Sequence, residues 1–490
     1  MSARTLRLLP LPAACLLAAA PAAADTLQEA LSQAYLTNPS LETARADLRA
    51  TDENVPIERS AALPTVSATP SYSEFVYDSG GSAVGPARQA GVGLSLGVPL
   101  YRGGATRYGI LAAETRVLAE RATLRGTESS LFSQVVNAYM NVIANEALVG
   151  LSRNNVEVLT VNLEATSDRF QIGDLTRTDV AQSEARLALA RGDLRSAEAN
   201  LIAAREDYVA LVGDAPTDLQ PPPPLPGLPE EVEAAVDIAL ENNPDLAGAR
   251  ERAAASRYDI RVAGSTRLPQ IDATTSADYS TFLGTLPGSF AGVTPNSSSG
   301  VTIGARAIIP LFQGGLPAAL ERQAQARSSA ALEQVVSIER DVIAQVRAAY
   351  SSWRAANAII ASSQTAVEAA ELSLEGVRAE NTVGNRTILD ILNAQQELLT
   401  AEVQLVNARR SAYIAGFSLL ASMGLAEARD LGLEGKVPLY DPVENYGRVR
   451  TIIWDWASDP DPVTRSTRTV DIPPQGADIP EERSEQTSAP

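Results

Sequence analysis

Residues 91–100, GVGLSLGVPL, alternate with a period of two. Val92, Leu94, Leu96, Val98 and Leu100 fall on one side, and Gly93, Ser95, Gly97 and Pro99 on the other. The pattern returns at 301–309, where Val301, Ile303, Ala305, Ala307 and Ile309 oppose Thr302, Gly304 and Arg306. The preceding stretches TVSATPSYS (65–73) and QIDATTSADYS (270–280) alternate more weakly. Together they predict two pairs of strands of about ten residues, each pair joined by a polar loop. An apolar row backed by small and polar residues suits a strand with lipid on one side and a lumen on the other. It suits a half-buried hairpin in a soluble protein equally well.

Around the strands the period changes to that of helices. Residues 26–60 read as one helix with Asp25 as a candidate N-cap. After PLYRGG (99–104) a helical stretch runs to about Phe170, with no proline for some 65 residues. At 1.5 Å per residue that is ~98 Å. A further helix covers 178–213, with an apolar seam of Leu187, Leu194, Ala197, Leu201, Ala204, Tyr208 and Leu211. Its steps of seven, three and four are those of a heptad. The later long helix has a similar seam in Val335, Val342, Val346, Ala349, Trp353, Ala356 and Ile360. Two short helices of about 35 residues, 26–60 and 178–213, would equal one long helix if stacked end to end.

The chain is written twice. Asn38-Pro39 returns as Asn243-Pro244 and Leu63-Pro64 as Leu268-Pro269, both 205 residues on. PLYRGG returns as PLFQGG (310–315) and Tyr139 as Tyr350, now 211 residues on. The six added residues belong in the second polar loop, because insertions collect in exposed loops. Gly173, Thr176, Asp179 and Leu187 likewise return as Gly384, Thr387, Asp390 and Leu398. The expected organisation is an export signal over 1–24, a first repeat over 25–213 and a proline-rich linker over 214–229. A second repeat over 230–424 and a C-terminal segment over 425–490 follow, with disorder from about Asp459.

Composition narrows the function. The 490 residues carry a net charge of −19 and contain no histidine. An acidic chain is a poor partner for nucleic acid. Without histidine there is no Ser/His/Asp or Cys/His nucleophile, and most zinc sites are excluded. Lys436 is the sole lysine, which argues against a P-loop or Schiff-base site. No nucleophile motif stands out, and the expectation is a protein that is not an enzyme and needs no cofactor. Arg4 and Arg7, the apolar LLPLPAACLLAAA and the small residues before Asp25 form a signal peptide, with cleavage expected after Ala24. Pro12 speaks against lipidation of Cys15, and the cleaved chain has no cysteine. Beyond the signal no run of about 18 apolar residues predicts a spanning helix.

The duplicated Asn-Pro, Leu-Pro, PLYRGG/PLFQGG and VGNRTILDILNAQ motifs together resemble the TolC family of outer-membrane efflux channels over about residues 25–424. The resemblance implies an α+β membrane fold: a duplicated β-hairpin plus long helical hairpin in each chain. Three chains would form a twelve-stranded outer-membrane barrel continued by a periplasmic α-helical coiled-coil barrel. It implies an exit duct for a tripartite efflux pump or type I secretion system. The implied partners are two further copies of the chain, a periplasmic adaptor, an inner-membrane transporter and outer-membrane lipid. The turns at Gly173, Thr176, Gly384 and Thr387 would lie at the adaptor-facing tip. Thr178, Asp179 and Arg386 match the family's gate network, with an Asp179–Arg386 pair. Asn381 stands where the family has tyrosine. Asp390 matches the acid ring of the pore, and Asn393 replaces its second acid, leaving three carboxylates in a trimer. On local rules alone the same residues merely end and begin helices, with Thr178 or Asp179 capping one and Thr387 the other. Tyr72, Tyr101, Tyr279 and Phe312 are candidates for aromatic girdles, and Trp454 and Trp456 for packing against the helices. The competing architecture is a trimeric coiled-coil adhesin or stalk, which needs uninterrupted heptads and no duplicated strand pairs.

Overall fold

The computed structural model describes residues 25–76, 86–286, 288 and 292–479. The signal peptide, most of the first polar loop and residues 480–490 lie outside the described residues. The strands are β1 (Thr65–Glu74), β2 (Arg88–Arg102), β3 (Gln270–Thr281) and β4 (Ser297–Ile308). They form one antiparallel sheet in the order β1-β2-β3-β4.

The register carries both alternation patterns across all four strands. Val66, Leu96, Thr275 and Ile303 share a row, as do Ala68, Leu94, Ala277 and Val301. The rows between them are polar: Ser67, Ser95, Ser276 and Thr302, then Thr69, Gly93, Asp278 and Gly300. Nothing among the described residues covers the apolar face, and Val66 and Ile303 are 75% and 80% exposed. On the polar face Ser67 Oγ lies 2.6 Å from Ser95 Oγ. The pair Thr65↔Gly97 in the first hairpin returns as Gln270↔Ile308 in the second, 205 residues on along one strand and 211 along the other. Identical registers confine the six added residues to the β3–β4 loop. Edge strand β1 pairs only with β2, and β4 only with β3, among the described residues.

Two helices of 67 residues, α4 (Ala105–Gln171) and α8 (Leu316–Thr382), lead away from the sheet. Each spans ~100 Å. After a turn, α5 (Arg177–Val212) and α9 (Ile388–Ser422) run back. The expected helix over 26–60 is three: α1 (Leu27–Thr37), α2 (Pro39–Asp52) and α3 (Asn54–Ser60). Proline has no N–H to donate and clashes with the preceding turn, so Pro39 opens a new helix at its first position. Thr26, not Asp25, caps α1. The second repeat breaks in the same way, between α6 (Val232–Asn242) and α7 (Pro244–Ser265). The partner of α5 along the long helix is therefore α2–α3, and the partner of α9 is α7.

The largest core lies midway along the helices, where α1, α2, α4 and α5 meet residues 417–437 around Phe132, Tyr139 and Leu433. Tyr139, fully buried, donates its hydroxyl to Asp25 O at 3.0 Å and Gln220 O at 2.6 Å. Its repeat partner Tyr350 donates to Glu230 O. Asp25 and Glu230 are themselves 205 apart, so each tyrosine anchors the chain just before its repeat's first helix. The expected seams are largely buried: Leu187, Leu201, Tyr208, Val342 and Val346 are core residues.

The C-terminal segment departs from expectation. After α10 (Glu444–Val449) the described residues form no further helix or strand and are mostly exposed, yet residues 475–479 lie against the helices. Buried Arg205 pairs with Glu146 at 2.8 Å and donates to Gly476 O at 2.6 Å and Asp478 O at 2.8 Å. Ala477 and Ile479 pack on the main core. Trp454 and Trp456, expected to pack against the helices, are 70% and 84% exposed. No described helix is long and apolar enough to cross a membrane.

Candidate functional site at the paired helical turns

The turns α4–α5 and α8–α9 stand at the ends of the long helices remote from the sheet. Their backbones close in the same way. In the first, Gly173 N–H donates to Phe170 O and Asp174 N–H to Arg169 O, at 3.0 and 2.9 Å. In the second, Gly384 and Asn385 donate to Asn381 and Glu380, both at 3.0 Å. This closure uses the last orphan carbonyls of the helix and requires a left-handed residue. Gly173 and Gly384, at φ 85° and 83°, supply it without a Cβ penalty.

The next helix then starts with a capping box. Thr176 N–H and Oγ1–H both donate to Asp179 Oδ2, at 2.8 and 2.7 Å, and Asp179 N–H returns a bond to Thr176 Oγ1. Thr387 and Asp390 repeat all three contacts. These bonds hold both carboxyls below the usual aspartate range, through Thr176 and Thr387 respectively. The caps are therefore Thr176 and Thr387. Thr178 lies in the first turn of α5, exposed, and caps nothing; Asp179 is the third residue of that helix.

Asp179 and Arg386 do not pair within the chain. Arg386 Nε donates to Glu380 Oε2 at 2.7 Å, and the ion pair holds its guanidinium above the usual arginine range. Asn381 Nδ2 donates to Arg386 O at 2.7 Å, so asparagine at this position fastens its own turn. The first turn carries a staple of opposite polarity, Arg169 Nε to Asp174 Oδ2 at 2.8 Å. Arg169 and Glu380 occupy the same repeat position, 211 apart. A comparison of the two copies for reversed charge finds this pair from the sequence.

The two hairpins meet just above the turns. Leu159, Leu187 and Leu392 pack together. Arg186 Nη2 donates to Asn393 Oδ1 at 3.0 Å, and Asn162 Nδ2 to Gln395 Oε1 at 3.1 Å. Asn393 thus accepts a bond from the other repeat rather than standing alone. It also lines a groove of about 630 Å³ between α8 and α9, floored by small residues such as Ala366 and Ala370. Arg186, Asn162 and Gln395 escape sequence reasoning because their partners are fixed only when the hairpins pack.

A duplicated helical hairpin on a four-stranded sheet, with matching turns, has close counterparts. The family model described as outer membrane efflux protein matches residues 30–214 and 235–425, one segment per repeat. Outer membrane efflux protein BepC of Brucella suis is 33% identical over 88% of this chain and 91% of its own length. Outer membrane protein TolC of Escherichia coli is 26% identical over 83% of this chain and 84% of its own. Among solved structures, the outer membrane channel CmeC of Campylobacter jejuni shares the fold at a TM-score of 0.72 and 18% identity, covering 87% of this chain and 89% of that one. The fold, the two matched repeats and the relatedness to BepC agree: the chain belongs to the outer membrane efflux protein family and is a protein of the outer membrane reaching into the periplasm.

Proposed function

We propose that three copies of the chain assemble head to tail, β1 of one against β4 of the next, into a closed twelve-stranded barrel. The observation that carries this is a four-stranded sheet with an uncovered apolar face and two unpaired edges. Open edges are not tolerated in lipid, and cyclic pairing of unlike edges closes a ring. The aromatic residues support the membrane setting. Tyr72 and Tyr279 lie near the loop end of the apolar face, and Tyr101 lies opposite Ile271 at the helix end. Eight residues of β3 separate Tyr279 from Ile271, roughly 27 Å along the strand and ~20 Å after tilting, close to the apolar band of such barrels. Exposed Leu332, Val336, Ile359 and Leu372 on α8 give the helices apolar surface for a neighbouring copy.

The helices then form a second barrel across the periplasm, and the paired turns face a periplasmic adaptor and, beyond it, an inner-membrane transporter. Gly173, Thr176, Gly384 and Thr387 shape the docking tip. Thr178, Asp179, Asn381 and Arg386 belong to the gate, and Asp390 contributes one carboxylate per chain to the constriction, with Asn393 beside it. Within each chain Arg186–Asn393 is one of the contacts that join the hairpins. An exposed hydrogen bond of this kind is worth ~0.5–1.5 kcal/mol net, weak enough for a partner to displace. The adhesin reading lacks support, since each repeat carries a pair of strands between its helices rather than unbroken heptads.

The test is the mass of the mature protein from outer membranes by native mass spectrometry in detergent. A trimer that becomes monomer on boiling is expected. A monodisperse, water-soluble monomer overturns the assembly.

A further inference from the structure

A cavity of about 990 Å³ opens where the sheet passes into the helices. Four arginines line it, Arg102, Arg107, Arg261 and Arg267, against one acid, Glu321. That local excess of three positive charges sits in a chain whose net charge is −19. Two of the four are already neutralised: Arg102 pairs with Asp272 at 3.0 Å, and Arg267 pairs with Glu321. Arg107 and Arg261 are exposed and have no hydrogen bond or ion pair among the described residues. They stand on the first turn of α4 and near the end of α7, two helices that pack together.

The remaining wall is apolar. Leu100 and Tyr101, at 60% and 45% exposed, lead into Ile110, Leu111 and Ile260. Tyr101 lies opposite Ile271 and Ile271 opposite Ala307, so this wall continues the apolar face of the sheet. The cavity therefore offers an apolar surface joined to the membrane-facing side and two unpaired guanidiniums beyond its end. Guanidinium groups match the oxygens of a phosphate in charge and geometry. A ligand that suits both parts is apolar at one end and carries phosphate at the other.

We propose that this cavity holds an anionic phospholipid of the leaflet nearest the helices, with its acyl chains along Leu100 and Tyr101 and its phosphate between Arg107 and Arg261. The site rests on the reading that the sheet lies in the membrane. Bound lipid there would tie the barrel to the helices at the point where one architecture becomes the other.

The experiment uses the full mature chain purified from outer membranes, stripped of lipid in detergent and titrated by native mass spectrometry. The probes are phosphatidylglycerol and phosphatidylcholine with the same acyl chains, and glycerol phosphate as a chainless anion. Phosphatidylglycerol is expected to bind in preference to phosphatidylcholine, and glycerol phosphate not to displace it. Arg107→Gln/Arg261→Gln should weaken phosphatidylglycerol at least about tenfold, the loss of one charge-assisted hydrogen bond. Arg107→Lys/Arg261→Lys should retain most of the preference, and Arg195→Gln, far down α5, all of it. Unchanged phosphatidylglycerol binding by an intact Gln/Gln trimer overturns the lipid site and leaves the channel reading standing. If the Gln/Gln protein does not assemble, loss of preference by an assembled Arg261→Gln single variant supports the site, and full retention overturns it. Displacement by glycerol phosphate reduces the site to a phosphate site and overturns the lipid. Failure of the unaltered chain to form a trimer overturns the reading beneath it, and the lipid site with it.

Discussion

Asn38 donates its side-chain amide to Leu211 O at 2.8 Å while its Oδ1 accepts from Ser40 N–H at 2.9 Å. One residue thus joins the last turn of α5 to the first turn of α2, satisfying an orphan carbonyl and an orphan N–H together. Asn243 does the same between Ser422 O, at 3.0 Å, and Asp245 N–H. The two helix ends also meet with opposite dipole charge, which favours the abutment. The repeated Asn-Pro is therefore the splice by which a short helix pair runs alongside each long helix.

Asn38→Ala removes both bonds and is expected to cost ~1–3 kcal/mol. Asn38→Ser keeps a cap but loses the donation across the splice, so its cost falls between. Asn243→Ala should match Asn38→Ala, and the double variant should approach the sum because the two share no partner. The temperature at which the trimer dissociates in detergent reports the order. Equal stability of the Ala and Ser variants removes the splice from the account.

How far this was legible differs from element to element. The strands were readable because period two is a local property, and the Val66–Leu96–Thr275–Ile303 row shows that four local patterns agree in space. The break at Pro39 was printed in the sequence, yet a continuous periodicity over 26–60 hides it unless proline is given priority over pattern. At the turns, Thr-x-x-Asp is a capping-box signature, and it accounts for Asp179 and Asp390 alike. Family resemblance assigns those two equivalent residues to different tasks in the assembly; within one chain both close a capping box. Arg186–Asn393 spans 207 residues and has no local signature. The C-terminal strap was hidden for another reason: Arg205 holds it through backbone carbonyls, which every residue possesses.

The sheet register makes a face-specific prediction. Leu94 lies on the uncovered apolar face and Ser95 on the polar one. Leu94→Arg is expected to cost ~2–4 kcal/mol near the midplane and to lower the yield of trimer in the outer membrane. Ser95→Arg should assemble normally. Equal yields assign the faces, or the membrane, wrongly.

Glu128 gives the middle of the molecule a pH dependence. It lies beside a cavity of about 400 Å³ and accepts a hydrogen bond from Ala428 N–H. Burial pushes its carboxyl up to about 7; Glu427 and Asp430 act the same way, while Ala428 N–H and Arg45 oppose. A raised folded-state value means that the folded protein prefers the protonated form. The associated stability is complete below the unfolded glutamate value and is lost as pH rises through about 7. By linkage the swing is at most roughly 3 kcal/mol. Glu128→Gln should therefore gain on the unaltered protein between pH 5 and pH 8, as read by trimer dissociation temperature. A constant difference across that range would falsify the assignment.

The last prediction separates a gate from a cap at the paired turns. Asp179 is bound to Thr176 by three hydrogen bonds, so a change in either residue disturbs the start of α5. If Asp179 acts only through the cap, Thr176→Ala and Asp179→Ala should alter single-channel conductance in a planar bilayer alike. If its carboxylate also holds the closed state against a neighbouring turn, Asp179→Ala should raise conductance and Thr176→Ala should not. Arg186→Ala and Asn393→Ala should each raise it, with little added by the double variant, because both remove one contact. Asp390→Ala should abolish block by divalent cations, since Asn393 supplies no charge. The effects of Asp179→Ala and Asp390→Ala should shrink at high salt, where interactions between exposed charges are screened. Conductance unchanged by Asp179→Ala, Arg186→Ala and Asn393→Ala at low salt leaves the turns with a structural task only: to reverse two long helices and start two short ones.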